Sequence, residues 1–160
     1  AYGAFEGSTG ASDTDDRLKH AARFDFALGD PEPGFYTGST YFGAKNLTTV
    51  GFVYQAEADA AGTATDRGDF SGFGFDGLIE RTLGNGAVVD LEGAYYDYHT
   101  DGKTDTIVSG QSFLFLASYL MPNKTSIGGI QGKLQPYFRY QGFNRDMKNI
   151  TNIFICFCKR

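Results

Sequence analysis

The sequence predicts an all-β fold, an antiparallel up-and-down meander forming part of a transmembrane β-barrel, and three observations predict it. Glycine and aromatic residues are abundant, with 22 Gly and 16% aromatics in 160 residues, while the helix formers Leu, Lys and Glu are sparse. That composition favours strands joined by turns over a helical bundle. Apolar and polar residues alternate at period two in one segment after another. Finally, compact connections rich in turn formers alternate with long acidic ones.

The strands follow in order. Residues 1–6 read as the end of a strand. Residues 18–28 place Leu18, Ala22, Phe24, Phe26 and Leu28 on one face and Lys19, Arg23 and Asp25 on the other. Residues 47–56 set Val50, Phe52, Tyr54 and Ala56 against Thr49, Gly51 and Gln55, with Val53 blurring the polar side. Residues 73–83 set Phe73, Phe75, Ile79 and Leu83 against Asp76 and Glu80, although Arg81 falls among the apolar positions. Residues 87–98 oppose Val89, Leu91 and Tyr95 to Asp90 and Glu92. Residues 111–120 are apolar on both faces, so periodicity does not orient them. Residues 133–143 place Leu134, Phe138 and Tyr140 opposite Gln135, Arg139 and Gln141.

Three connections read as compact turns: Asp30-Pro31-Glu32-Pro33-Gly34, Gly84-Asn85-Gly86 and Met121-Pro122-Asn123. The Asn-Gly pair predicts a tight hairpin with positive φ at both central positions. The long connections at 7–17, 59–71 and 99–109 hold Asp13, Asp15, Asp16, Asp59, Asp66, Asp69, Asp101 and Asp105 against Arg17, Arg67 and Lys103. Their surplus of five acidic charges equals the net charge of the whole chain, −5. Strands and short turns together are neutral.

Such asymmetry between the two ends of a meander, with strands near 10 residues, is that of an outer-membrane barrel. In hydrocarbon every backbone donor and acceptor must be paired, so only a closed sheet crosses, and its exterior must be apolar. Charges on the other face then require water or internal partners. Lys19, Arg23, Asp25, Asp76, Glu80, Asp90, Glu92 and Arg139 are too many for a dry interior, so a water-filled lumen lined by these eight residues is expected. The competing architecture is a soluble sandwich with its apolar face against a second sheet.

Other classes are excluded. An acidic chain without a basic tract does not suit general nucleic-acid binding. The longest apolar runs, 113–117 and 153–157, are far short of a membrane-spanning helix. Residues 1–10 have neither the charged nor the apolar region of a signal peptide.

The segments Tyr2-Gly3-Ala4-Phe5-Glu6-Gly7, Ala22-Arg23-Phe24-Asp25-Phe26 running into Asp30-Pro31-Glu32-Pro33-Gly34-Phe35-Tyr36, Gly38-Ser39-Thr40-Tyr41-Phe42-Gly43, and Lys133-Leu134-Gln135-Pro136-Tyr137-Phe138-Arg139-Tyr140 resemble the later strands of Gram-negative outer-membrane porins of the phosphate-selective (O and P type) family. The resemblance covers residues 1–146. It implies a barrel of about sixteen strands, a homotrimer embedded in outer-membrane lipid and lipopolysaccharide, passive diffusion of small hydrophilic solutes, no cofactor and no catalysis. It also implies that these residues are the C-terminal portion of a longer barrel. Residues 147–160 depart from the pattern and read as an atypical tail containing Cys156 and Cys158. Phosphate specificity does not carry over, because the lumen-side charges are mixed in sign.

Several motifs invite other chemistry. Gly72-Phe73-Gly74-Phe75-Asp76-Gly77 matches a dinucleotide fingerprint in letters, but it opens a strand where that motif needs a helix; glycines making room for aromatic neighbours account for it. Asp97-Tyr98-His99-Thr100-Asp101 sets a histidine between carboxylates, as a hydrolase or weak metal site would, yet shows no nucleophile or third ligand. Asp13-x-Asp15-Asp16 and Asp101-x-x-x-Asp105 lack calcium-loop spacing, and Cys156-x-Cys158 is an incomplete thiolate site. The main functional alternative is a surface-exposed binding or adhesion barrel whose acidic loops hold a partner.

Overall fold

The computed structural model describes residues 1–6, 17–31, 40–103, 109–127, 130–145 and 148–159, with the backbone alone at 5–6, 127, 130, 145 and 148–159. The strands are β1 (Tyr2–Glu6), β2 (Leu18–Gly29), β3 (Leu47–Thr63), β4 (Asp66–Thr82), β5 (Val88–His99), β6 (Gly110–Leu120), β7 (Lys124–Ile127), β8 (Ile130–Arg145) and β9 (Lys148–Lys159). They form one antiparallel sheet in which β1 to β6 are neighbours in chain order, β8 pairs β6, β7 and β9, and the sheet does not close. The fold is therefore all-β and up-and-down, and every strand expected from alternation is present.

Two connections differ from the sequence reading, and a third, the tight hairpin, stands with a different turn conformation. The span 59–71 is not a loop: β3 and β4 run through it and turn at Ala64 and Thr65, with Thr63 paired to Asp66. Its acidic residues find partners that let the ladder continue. Asp59 meets Arg17 at 3.1 Å, Lys103 pairs with Asp66, and Asp69 accepts the amide of Asp59. Two extra residues on β3 form a bulge, since Glu57 faces Phe70 and Ala61 faces Gly68. Asp59, inside the bulge, has φ 58°.

Met121-Pro122-Asn123 is likewise not a reversal. β6 and β7 lie along β8 in succession, from Ser118 opposite Tyr137 to Lys124 opposite Lys133. Six residue steps answer four there, so proline interrupts the ladder as a bulge, where its missing N–H is tolerated. After β2, β3 begins at Leu47 as expected; residues 32–39, with most of the expected Asp-Pro-Glu-Pro-Gly turn, lie outside the described residues. At Gly84-Asn85-Gly86 the hairpin is tight: Leu83 N donates to Ala87 O and Gly86 N to Leu83 O, each at 2.8 Å. Only Gly86 has positive φ, 79°, the pattern of a three-residue loop ending in a left-handed glycine.

Residues 148–159, expected to depart from the pattern, form β9 against β8, from Arg145 opposite Lys148 to Leu134 opposite Lys159. The long connection 7–17 lies outside the described residues up to Asp16, as do 104–108 of the 99–109 connection.

Register fixes the two faces. One carries Phe24, Phe26, Val50, Phe52, Phe75, Ile79, Leu91, Phe115 and Phe138 in adjoining positions. The ambiguous β6 contributes Phe113, Phe115 and Ala117 to it. Arg81 and Asp97 mark its two ends, opposite Val89 and Phe73; from Val89 to Asp97 the strand advances about 26 Å. Among the described residues no second layer covers this face: Phe24 is 68% exposed and Phe75 53%. The other face carries the charges. Burial is inverted relative to a water-soluble sheet, because Glu80 and Asp90 are 0% and 1% exposed.

Candidate functional site

The candidate site is the charged face, and register places all eight residues singled out from sequence on it: Lys19, Arg23 and Asp25 on β2, Asp76 and Glu80 on β4, Asp90 and Glu92 on β5, and Arg139 on β8. They fall into cross-strand rows. Lys19 lies beyond Glu57 and Phe70. Arg23 shares a row with Val53, Gly74 and Tyr96. Asp25 shares one with Gly51 and Asp76, Glu92 one with Leu116 and Arg139, and Glu80 one with Leu47, Asp90 and Ser118.

Two ionic groups occupy the β2 side. Arg23 donates from Nη1 and Nη2 to the two carboxylate oxygens of Asp76 at 2.8 and 2.7 Å, and Nη2 also lies 2.8 Å from Asp25. The guanidinium reaches Asp76 by passing over Gly51, where a Cβ would stand 2.8 Å from Asp76 Oδ1 and collide with Arg23 Nη2. Lys19 lies 3.9 Å from Glu57 and 4.9 Å above the ring of Phe70.

The glycines of 72–77 do what close approach requires. Gly72 lies under the Tyr98 ring and Gly74 under Tyr96. Tyr96 and Tyr98 are 6.3 Å apart with planes 5° apart, and Phe70 continues the row 6.1 Å from Tyr98. Gly72 and Gly74 make room for aromatic neighbours, as expected from the sequence; that the neighbours are Tyr96 and Tyr98, periodicity did not show.

Glu80 and Asp90 share the face but not its solvent. Residues 40–46 fold across the β4–β5 end as a strap. Thr40 Oγ1 and Tyr41 N donate to Glu80 Oε2 at 3.0 and 2.6 Å, and Gly43 N donates to Oε1 at 2.6 Å. Phe42 and Gly43 have φ 56° and 84°, which turns the amides of Tyr41 and Gly43 toward one anion, while Phe42 N donates to Thr40 Oγ1. A Cβ on Gly43 would meet Val88 Cγ2 at 2.6 Å, so the strap lies flush on the sheet. Asp90 stands opposite Glu80, accepts from Ser118 Oγ at 2.7 Å and from Gln135 Nε2 at 3.4 Å through Oδ2, and leaves Oδ1 buried without a hydrogen-bond partner. Arg139 is half-buried, and its Nε also lacks one.

At the opposite end of the strands, a cleft of about 320 Å³ collects Asp97, Tyr98, His99, Thr100, Asp101 and Ser109. His99 Nδ1 is 3.6 Å from Asp97 Oδ1, while Asp97 Oδ2 accepts from Tyr95 and Gln111. Asp101 (φ 49°) and Gly102 (φ 75°) form a left-handed pair in a turn closed by Lys103 N to Thr100 O at 2.8 Å.

No helix among the described residues is long and apolar enough to cross a membrane, which leaves crossing by strands open. Comparison with protein-family models, curated proteins and solved structures returns no match.

Proposed function

We propose that this sheet forms part of the wall of an outer-membrane barrel of about sixteen strands in a Gram-negative bacterium, and that the protein is a porin: a passive diffusion channel for small hydrophilic solutes or ions. One observation carries the reading, the inversion of burial. A contiguous face of Phe, Val, Ile and Leu is bare, while ionic groups on the opposite face are paired and in part buried. In water such a face costs about 25 cal/mol per Å², whereas outer-membrane lipid and lipopolysaccharide are solvents that cover it. Its extent along the strands, about 26 Å, projects to roughly 20 Å for strands tilted by about 40°, a little less than the roughly 25 Å apolar band of such barrels.

In this reading Lys19, Arg23, Asp25, Asp76, Glu92 and Arg139 line or border the wet lumen. Glu80 and Asp90 stabilise the strap at its β4–β5 end. No bond is made or broken; mixed wall charges bias which ions enter. The homotrimer and the phosphate-selective porin family rest on the sequence resemblance. Nucleic acid is not a partner.

The test has two readouts in bilayers. With Cys156 and Cys158 replaced by Ser, a Phe75→Cys thiol should react only with membrane-permeant reagents and an Asp25→Cys thiol with water-soluble ones, and stepwise conductance should accompany insertion. Equal labelling of Phe75→Cys by water-soluble reagents would remove the membrane reading. Stable insertion without conductance would instead favour the surface-exposed binding barrel, for which the cleft around His99 is the supporting feature.

A further inference from the structure

We propose that Tyr96 and Tyr98 form the floor of a subsite for a neutral, polyhydroxylated ring, a pyranoside; the proposal rests on the channel reading and names a solute class for it. Each ring stands with its Cδ1–Cε1 edge against a glycine of β4. A methyl group at Gly72 would come within 2.8 Å of Tyr98 Cδ1, and one at Gly74 within 2.6 Å of Tyr96 Cε1. Glycine therefore backs each ring, and both tyrosines are half-buried, so part of each ring stays open on the charged face. With planes 5° apart and centroids 6.3 Å apart, the two rings run parallel along β5. The ammonium of Lys19 stands over Phe70, the next ring in the row, and closes that end of the aromatic surface.

The border decides the ligand class. Lys19 with Glu57 flanks one end and Arg23 with Asp76 the other, and Gln55 Nε2 lies 3.4 Å from the position of a Gly72 Cβ, beside the Tyr98 ring. A cationic solute would meet Lys19 and Arg23, and an anionic one Asp76. A hydroxyl both donates and accepts, so it matches a rim of both signs. A pyranose combines such hydroxyls at its edge with a C–H face that fits an aromatic plane through dispersion and weak hydrogen bonds to the π-system.

The probe is maltotriose, added to the full chain in dodecylphosphocholine micelles, which carry no sugar headgroup, with binding read by saturation-transfer NMR. Transfer to sugar C–H protons is expected in the wild-type chain. It should weaken about tenfold for Tyr96→Ala with Tyr98→Ala, and stay within about twofold for the two Tyr→Phe changes, which keep the rings. Gly74→Ala keeps every ring atom but tilts Tyr96, and should weaken binding as well. Absence of transfer in the wild-type chain, transfer unchanged by removal of both rings, or stronger binding of tetramethylammonium would each overturn the proposal. Failure of the channel reading would appear separately, as missing conductance with sugar contact retained.

Discussion

Arg23 and Asp76 form a bidentate ion pair across two strand spacings, and Gly51 on the intervening β3 is the residue that lets them meet. The planar guanidinium fork matches the carboxylate. The contact is possible only where the strand between them has no side chain. Sequence alternation put Arg23 and Asp76 on the charged side but did not pair them, because the partner is two strands away.

Replacing Gly51 by Ala should therefore destabilise the folded chain by about 1–3 kcal/mol, the usual cost of forcing a methyl group into occupied space. The cost arises at the ion pair, so it should shrink in an Arg23→Ala background, and a double-mutant cycle in micelles reads the coupling. Additive effects would mean that Gly51 serves the backbone alone.

The hairpin between β4 and β5 isolates a purely conformational effect. A Cβ on Gly86 would meet only Pro122 Cβ, at an ordinary 3.8 Å, but φ is 79°. Gly86→Ala should cost about 1–2 kcal/mol, while Gly86→Asn should cost less, because asparagine tolerates the left-handed region. Equal losses for both would point to packing instead, and the thermal unfolding midpoints decide.

What could be read from sequence divides along range. The seven strands were legible because alternation is local and each strand has one apolar face; Phe24, Phe26 and Val50 show it plainly. The β3–β4 hairpin was not, since its Asp59, Asp66 and Asp69 suggested a solvated loop, and the partners that keep it in the ladder, Arg17, Lys103 and the Asp59 amide, come from elsewhere in the chain or from the backbone. Proline at 122 suggested a reversal, yet it marks a bulge. The charged face was legible by period two, but the strap over Glu80 was not, because nothing local shows that the amides of Tyr41 and Gly43 converge on a residue some forty positions away.

That strap should depend on the Glu80 carboxylate. Glu80→Gln keeps one carbonyl oxygen and turns an NH₂ group toward backbone donors, so at least one of the three hydrogen bonds is lost. A buried hydrogen bond to a charged group contributes about 2 kcal/mol, and amide exchange at Tyr41 and Gly43 should accelerate roughly 30-fold if the strap opens locally. Exchange at Gly93, in the ladder away from the strap, should not change. Unchanged protection at Tyr41 and Gly43 would show that the strap is held by Asn46 and Thr82 instead, through the bond from Thr82 N to Asn46 Oδ1 at 2.7 Å.

Ion selectivity tests the lumen assignment, and burial supplies its control. The Asp25 and Asp76 side chains are 43% and 27% exposed and lie beside Arg23, whereas Glu80 and Asp90 are shut away beneath the strap. Carboxylates in contact with pore water raise the local concentration of cations. Neutralising Asp25 and Asp76 together, as Asn, releases the Arg23 guanidinium from both partners and should shift the reversal potential in a salt gradient toward anion preference. Asp90→Asn should leave it where it was, because Oδ2 is held by Ser118 and Gln135 and the group does not face the lumen. A shift from Asp90→Asn equal to that of the double variant would mean that the strap admits water to the carboxylate pair. No shift from the double variant, in channels that still conduct, would place the conducting path away from the β2–β4 part of the charged face.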